Sequence, residues 1–110
     1  MILKDSGRVK LTDKKFDTAV SDDKFINTLF ERLVALKITF KNVDFRYCIF
    51  DTAYLRNCSF EDCDFTGSKF VNSNLAGCSF NGCKFDYVTF DKTHIDNDIL
   101  NVGCPGPENL

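Results

Sequence analysis

An apolar side chain returns at every fifth residue from Phe40 to Leu100, and neither a regular helix nor a regular strand can absorb that period. The series runs Phe40, Phe45, Phe50, Leu55, Phe60, Phe65, Phe70, Leu75, Phe80, Phe85, Phe90, Ile95 and Leu100 without a gap. On a helix of about 3.6 residues per turn, or on a strand of period two, these side chains would rotate through every direction and half would meet water. The backbone must therefore turn once per repeat. Two residues ahead of each member stands a second series: Ile38, Val43, Cys48, Ala53, Cys58, Cys63, Ser68, Ser73, Cys78, Cys83, Val88, Thr93 and Asp98. All but the last are small or β-branched. Both series are expected to face inward, leaving the other three positions of each five to carry the polar load.

A second spacing gives the number of sides. The large series is Phe except at Leu55, Leu75 and Ile95 before its last member, and these are twenty residues apart, or four repeats. A square coil would stack the three aliphatic residues on one side and Phe on the other three. The composition agrees, with twelve Phe, no Trp and one Met, so one aromatic serves one geometric purpose. Two residues after each large residue come Asn42, Asn57, Asp62, Gly67, Asn72, Gly77, Gly82 and Asn97, residues that tolerate tight turns or positive φ. Tyr47, Thr52, Tyr87, Lys92 and Val102 depart from that chemistry and predict a different turn at their corners.

The units CSFED, CDFTG, SNLAG, CSFNG and CKFDY, within residues 58–87, resemble the pentapeptide-repeat family, whose loose consensus is A(D/N)Lxx. The resemblance covers about 38–100. It implies an all-β solenoid, a right-handed quadrilateral β-helix, here of about three coils, usually bacterial and without catalytic residues of its own.

Stacked at the strand spacing of about 4.8 Å, three coils make a stubby rod whose ends would expose rings and unpaired backbone groups. An N-terminal cover is legible in Ser21 as N-cap, Asp22 and Asp23 at the positive end of a helix dipole, and a stripe of Phe25, Ile26, Leu29, Phe30, Leu33 and Leu36. These predict a capping α-helix over about 22–36, within an N-terminal segment 1–37 that opens with a short strand near Arg8 to Leu11. The β-helix is then expected over 38–102, with a tail over 103–110. In that tail Gly106-Pro107-Glu108 has the form of a helix start. Either the chain is a piece of a longer protein, or its last coil is sealed by another chain, for which a homodimer through the coil end is the simplest arrangement.

The net charge of −2 divides into +2 over residues 1–37 (eight Lys/Arg, six Asp/Glu) and −3 over 38–100 (six and nine). Neither value argues for direct nucleic-acid binding or a membrane surface. Without a signal peptide or an apolar span, a cytoplasmic location is the expectation. Cys58, Cys63, Cys78 and Cys83 do not have zinc-ligand spacing. They and Cys48 occupy the small inward position, where a thiol is a compact filler, and Cys58 over Cys78 and Cys63 over Cys83 would stack within disulfide range. Cys104 is out of register. His94 faces outward beside Ile95 without a nucleophile near it. Asp44 stacked over Asp64 is read as part of a solvated face with Arg46 and Lys84. No catalytic, cofactor or metal site is expected.

The expected binding feature is a corner column of Tyr47, Gly67 and Tyr87, two rings flanking a glycine gap, extended by outward Ile49 and Val71 on the neighbouring side. The expected function is a non-enzymatic protein-interaction or scaffold module using a rigid face or open end. The alternatives are a DNA-mimic binder of DNA gyrase or topoisomerase, as the resemblance allows, or one domain of a larger bacterial defence or effector protein. A supercoiling assay separates the gyrase alternative from the rest.

Overall fold

Sides of five residues need a backbone that turns sharply at each corner, and the computed structural model, which describes residues 8–96, makes that turn in one repeated form. Every corner from Asp22 to Lys92 holds one residue at positive φ. Gly67 (74°) and Asn42 (54°) do so, and so do Tyr47 (59°), Thr52 (60°), Tyr87 (63°) and Lys92 (50°). The expectation of a different turn at those last four is corrected. The reason lies in the ladder, because positive φ aims the corner N–H along the solenoid axis. Tyr47 N donates to Thr66 O at 2.9 Å and Thr52 N to Val71 O at 2.9 Å, as Asn42 N does to Glu61 O at 2.8 Å. Hydrogen bonding thus continues around the corners from Asp22 to Asn72.

The strands, in chain order, are β1 (Val9–Thr12), β2 (Lys15–Phe16), β3 (Val20–Ser21), β4 (Thr28–Glu31), β5 (Val34–Leu36), β6 (Thr39–Lys41), β7 (Ile49–Asp51), β8 (Tyr54–Arg56), β9 (Ser59–Glu61), β10 (Lys69–Val71), β11 (Ser79–Asn81) and β12 (Thr89–Asp91). They form three parallel sheets, ordered β1-β4-β7-β10-β12, β2-β5-β8 and β3-β6-β9-β11. The fourth side is joined only by bridges from Lys24 through Asp44 and Asp64 to Lys84. Five strands stacked on one side make four full turns, one more than the sequence reading expected.

The additional coil is where the capping helix was predicted. Residues 22–36 form no helix: Thr28–Glu31 and Val34–Leu36 are strands of the solenoid. Phe25, Phe30 and Leu33 fit the five-residue lattice as well as a helical one and pack inward, whereas Ile26 and Leu36 face out at 38% and 49% exposure. Two irregularities hid this coil. Ala35 pairs with Leu55 in the column of large residues while Leu33, two positions ahead, is fully buried in the small position, so the two sizes are exchanged. The first coil is also one residue short between Phe16 and Val20: Phe16 pairs with Ala35, nineteen residues on, and Val20 with Phe40, twenty on. Among the described residues the solenoid therefore runs from Val9 rather than from near 38. Leu100, Asn97, Asp98, Val102, Cys104 and the predicted tail 103–110 lie outside the described residues.

Beyond the first coil, which sets Phe16 in line with Ala35 and Val20 in line with Phe40, the interior is three columns of rings and one of aliphatic side chains. Phe40, Phe60 and Phe80 stack at 4.8 Å centroid spacings with planes within 6°. Phe50 and Phe70 stack at 4.5 Å, and Phe45 and Phe65 at 5.1 Å. Around one coil the columns meet edge to face, as Phe60 and Phe65 do at 5.4 Å and 70°. Leu55 and Leu75 are buried on the β2-β5-β8 side, in line with Ala35, and Ile95 is half-buried at the last described turn.

The small position does more than fill space. Its side chain donates to the carbonyl of the large residue 23 positions back: Ser68 Oγ to Phe45 O at 2.6 Å, Cys63 Sγ to Phe40 O at 3.4 Å, and Cys78 Sγ to Leu55 O at 2.9 Å. Ser68 Oγ and Ser73 Oγ also accept from Cys48 N and Ala53 N, bridging two coils.

Candidate interaction surface

Because each corner repeats one backbone geometry, the outward side chains form straight columns along the axis, and each column can be read as a surface. The corner column predicted as a partner surface is present: Tyr47, Gly67 and Tyr87 occupy equivalent positive-φ positions on successive coils. The gap between its rings is not. A Cβ added at Gly67 would lie 2.5 and 2.6 Å from Cδ1 and Cε1 of Tyr47, so that ring lies over the glycine. Gly67 therefore serves twice, permitting left-handed φ and giving the ring a bed. Tyr47 remains 53% exposed and Tyr87, 83% exposed, projects freely. The first coil steadies the column, since Arg8 Nη1 donates to Tyr47 O at 3.2 Å. Ile49 and Val71 lie on the next side, but diagonally: Ile49 is in register with Lys69, and Val71 with Asp51. Both are half-buried, and the apolar neighbour of Ile49 in register is Leu29.

The fourth side carries charges of both signs. Its column runs Lys24, Asp44, Asp64 and Lys84. Asp44 accepts from Arg46 Nε and Nη2, the latter at 2.8 Å, and Asp64 accepts from Thr66 N at 2.9 Å. Desolvation pushes the Asp44 carboxyl up, but the Arg46 side chain and its backbone N–H outweigh it, and the net effect holds Asp44 below its ordinary range. No group of three or more His, Cys, Asp or Glu suited to a metal occurs among the described residues. His94 is exposed with Asp96 Oδ1 3.5 Å from its Nε2.

All five described cysteines are buried and free. Burial pushes the Cys48 thiol up to about 12. These side chains belong to the interior lattice.

Residues 9–90 match the sequence description of the pentapeptide repeat region. This chain belongs to the pentapeptide-repeat family. No curated protein matches it. The pentapeptide-repeat fold is shared with a protein of the Arabidopsis thaliana thylakoid lumen (TM-score 0.69, 15% identity, covering 96% of this chain and 85% of that one). It is also shared with Rfr23 of the cyanobacterium Cyanothece 51142 (TM-score 0.68, 17% identity, 81% and 61%). QnrB1, a plasmid-mediated fluoroquinolone resistance protein, is similar at TM-score 0.52 and 22% identity, over 81% of this chain and 49% of that one. This chain thus spans about three fifths of the cyanobacterial protein's length and half of QnrB1's.

The pentapeptide-repeat coil hidden by the helix expectation carries surface residues of its own. On the β5 and β8 side, Val34 pairs with Tyr54 and Leu36 with Arg56, all directed outward. The available signal was position: in the solenoid register 34 and 36 flank the inward Ala35, as 54 and 56 flank Leu55.

Proposed function

We propose that this chain is a non-enzymatic protein-interaction module that presents the Tyr47–Tyr87 corner to a partner protein. The observation that carries the reading is an exposed pair of tyrosines at one corner of the solenoid, with the Tyr47 ring bedded on Gly67 and its backbone laddered on both sides. An amphipathic ring fixed in advance, as that of Tyr47 is on Gly67, loses little freedom on docking, and Tyr is enriched among the residues that dominate interface energies. The outward column of Lys24, Asp44, Asp64 and Lys84 carries both signs rather than acid alone. That favours a protein partner over imitation of a uniformly acidic polymer.

Affinity purification with the wild-type chain and with Tyr87→Ala, side by side from the cells that make the protein, tests this. Tyr87 is almost fully exposed, so the variant is expected to melt within about 2 °C of wild type, as surface changes usually do. A partner should be retained by wild type at least about tenfold over the variant, the effect of losing ~1.4 kcal/mol of binding. The same proteins recovered equally with both chains would overturn the reading.

A further inference from the structure

The β5–β8 side holds a cation with no charge partner. Among the described residues Arg32 pairs with Asp13 and Arg46 with Asp44, but no carboxylate lies within ion-pair distance of Arg56. Its in-register neighbour on one side is Leu36, and in the repeat lattice its neighbour on the other is Ala76. The carboxylates of that column, Asp17 and Asp96, are two coils away in either direction, roughly 10 Å at the strand spacing. They are engaged elsewhere, Asp17 with Lys15, and Asp96 with His94 and Gly77 N.

Arg56 is nevertheless held in place. Its Nη1 donates to Tyr54 Oη at 2.8 Å and its guanidinium lies 5.6 Å from the Tyr54 ring centroid. Its Nε is buried without an acceptor. Around it Leu36 is 49% exposed, Tyr54 41% exposed and Val34 half-buried. An ordered guanidinium with unused donors, set among exposed apolar side chains, matches the composition of interface hot spots. The surrounding apolar atoms would exclude water from a charge-assisted pair.

From this juxtaposition we propose that the Val34–Leu36–Tyr54–Arg56 face is a second docking site, for a protein segment that offers an Asp or Glu carboxylate beside an apolar side chain. The proposal rests on the reading of the chain as an interaction module and adds a face and a partner chemistry to it. The carboxylate supplies the charge that Arg56 lacks and an acceptor for its free donors, while the apolar neighbour covers Leu36 and Val34.

The test places a photo-crosslinking benzoylphenylalanine in the full chain at Leu36, at Tyr87, or at Asn81 on the β11 side as control, with irradiation in the cells that make the protein. The expected result at Leu36 is an adduct at least tenfold above the Asn81 control. Its mapped partner peptide should carry Asp or Glu next to an apolar residue, and the adduct should fall about tenfold with Arg56→Gln. If Arg56→Gln loosens the coil, as a lowered melting temperature would show, Tyr54→Phe replaces it. That variant removes only the hydroxyl that fixes Nη1 and should reduce the adduct severalfold. The proposal is overturned by an adduct no stronger than the control, by one that persists undiminished in these variants, or by one joining two copies of this chain. An adduct at Tyr87 without one at Leu36 sinks this face alone, whereas none at either position sinks the interaction reading as well.

Discussion

Thr52 shows most plainly what the lattice demands of a single residue. A β-branched side chain at φ 60° is out of place by its own preferences, yet its N–H donates to Val71 O as the glycine corners do to their acceptors. Left-handed backbone costs an L-residue about 1–2 kcal/mol, and Asn tolerates it far better. Thr52→Asn is therefore expected to stabilise the chain by about 1 kcal/mol in urea unfolding. Gly67→Ala, which adds a Cβ under the Tyr47 ring at positive φ, should destabilise it. If both changes proved neutral, the corners would not be strained. The small inward position makes a second residue-scale claim, that its side chain is a donor as well as a filler. Cys63→Ser keeps a donor for Phe40 O and is expected to remain within about 1 kcal/mol of wild type. Cys63→Ala removes the donor and should cost about 1 kcal/mol more than Ser, the net worth of one buried hydrogen bond. Equal stability of the two variants would reduce the thiols to packing.

Among the elements, β5 departs furthest from the repeat and still fits it. Leu33 and Ala35 carry, in exchanged order, the sizes that Ala53 and Leu55 carry one coil later. If this is compensation within one layer, Ala35→Leu alone overpacks the coil and costs about 1–3 kcal/mol, while Leu33→Ala alone opens a cavity and costs about 2–5 kcal/mol. The double variant restores the order of the following coil and should be more stable than the sum of the two losses by at least 1 kcal/mol. Additive losses in the double-mutant cycle would mean that the two sites do not share a volume. This exchange also explains why the strand was not legible in the sequence. A rule of large residues at every fifth position stops at Ala35, and Phe25, Phe30 and Leu33 then fall on a helical stripe that only the exposure of Ile26 and Leu36 contradicts.

Over the whole molecule, what could be read from sequence was whatever repeats. The five-residue period located the buried columns of Phe40, Phe60 and Phe80 and of Leu55 and Leu75, and the twenty-residue spacing gave the four sides. Features that depend on one coil meeting another were not readable. The Tyr47 ring closing over Gly67 requires their stacked geometry, the donor role of the thiols requires a carbonyl 23 residues away, and the apolar surroundings of Arg56 emerge only when Leu36 is known to be its neighbour. The first coil was lost for a related reason, since a missing residue between Phe16 and Val20 and a size exchange at Leu33 and Ala35 break the period without breaking the fold.

The central claim, that residues 22–36 belong to a coil of the solenoid rather than to a helix laid over its end, is tested most directly by nuclear Overhauser contacts in the labelled full-length protein. Cross-coil contacts from Leu29 to Ile49 and from Val34 to Tyr54 are expected, without an unbroken run of contacts between residues three apart along 22–36. Sequential helical contacts through that segment, without the cross-coil ones, would contradict the account.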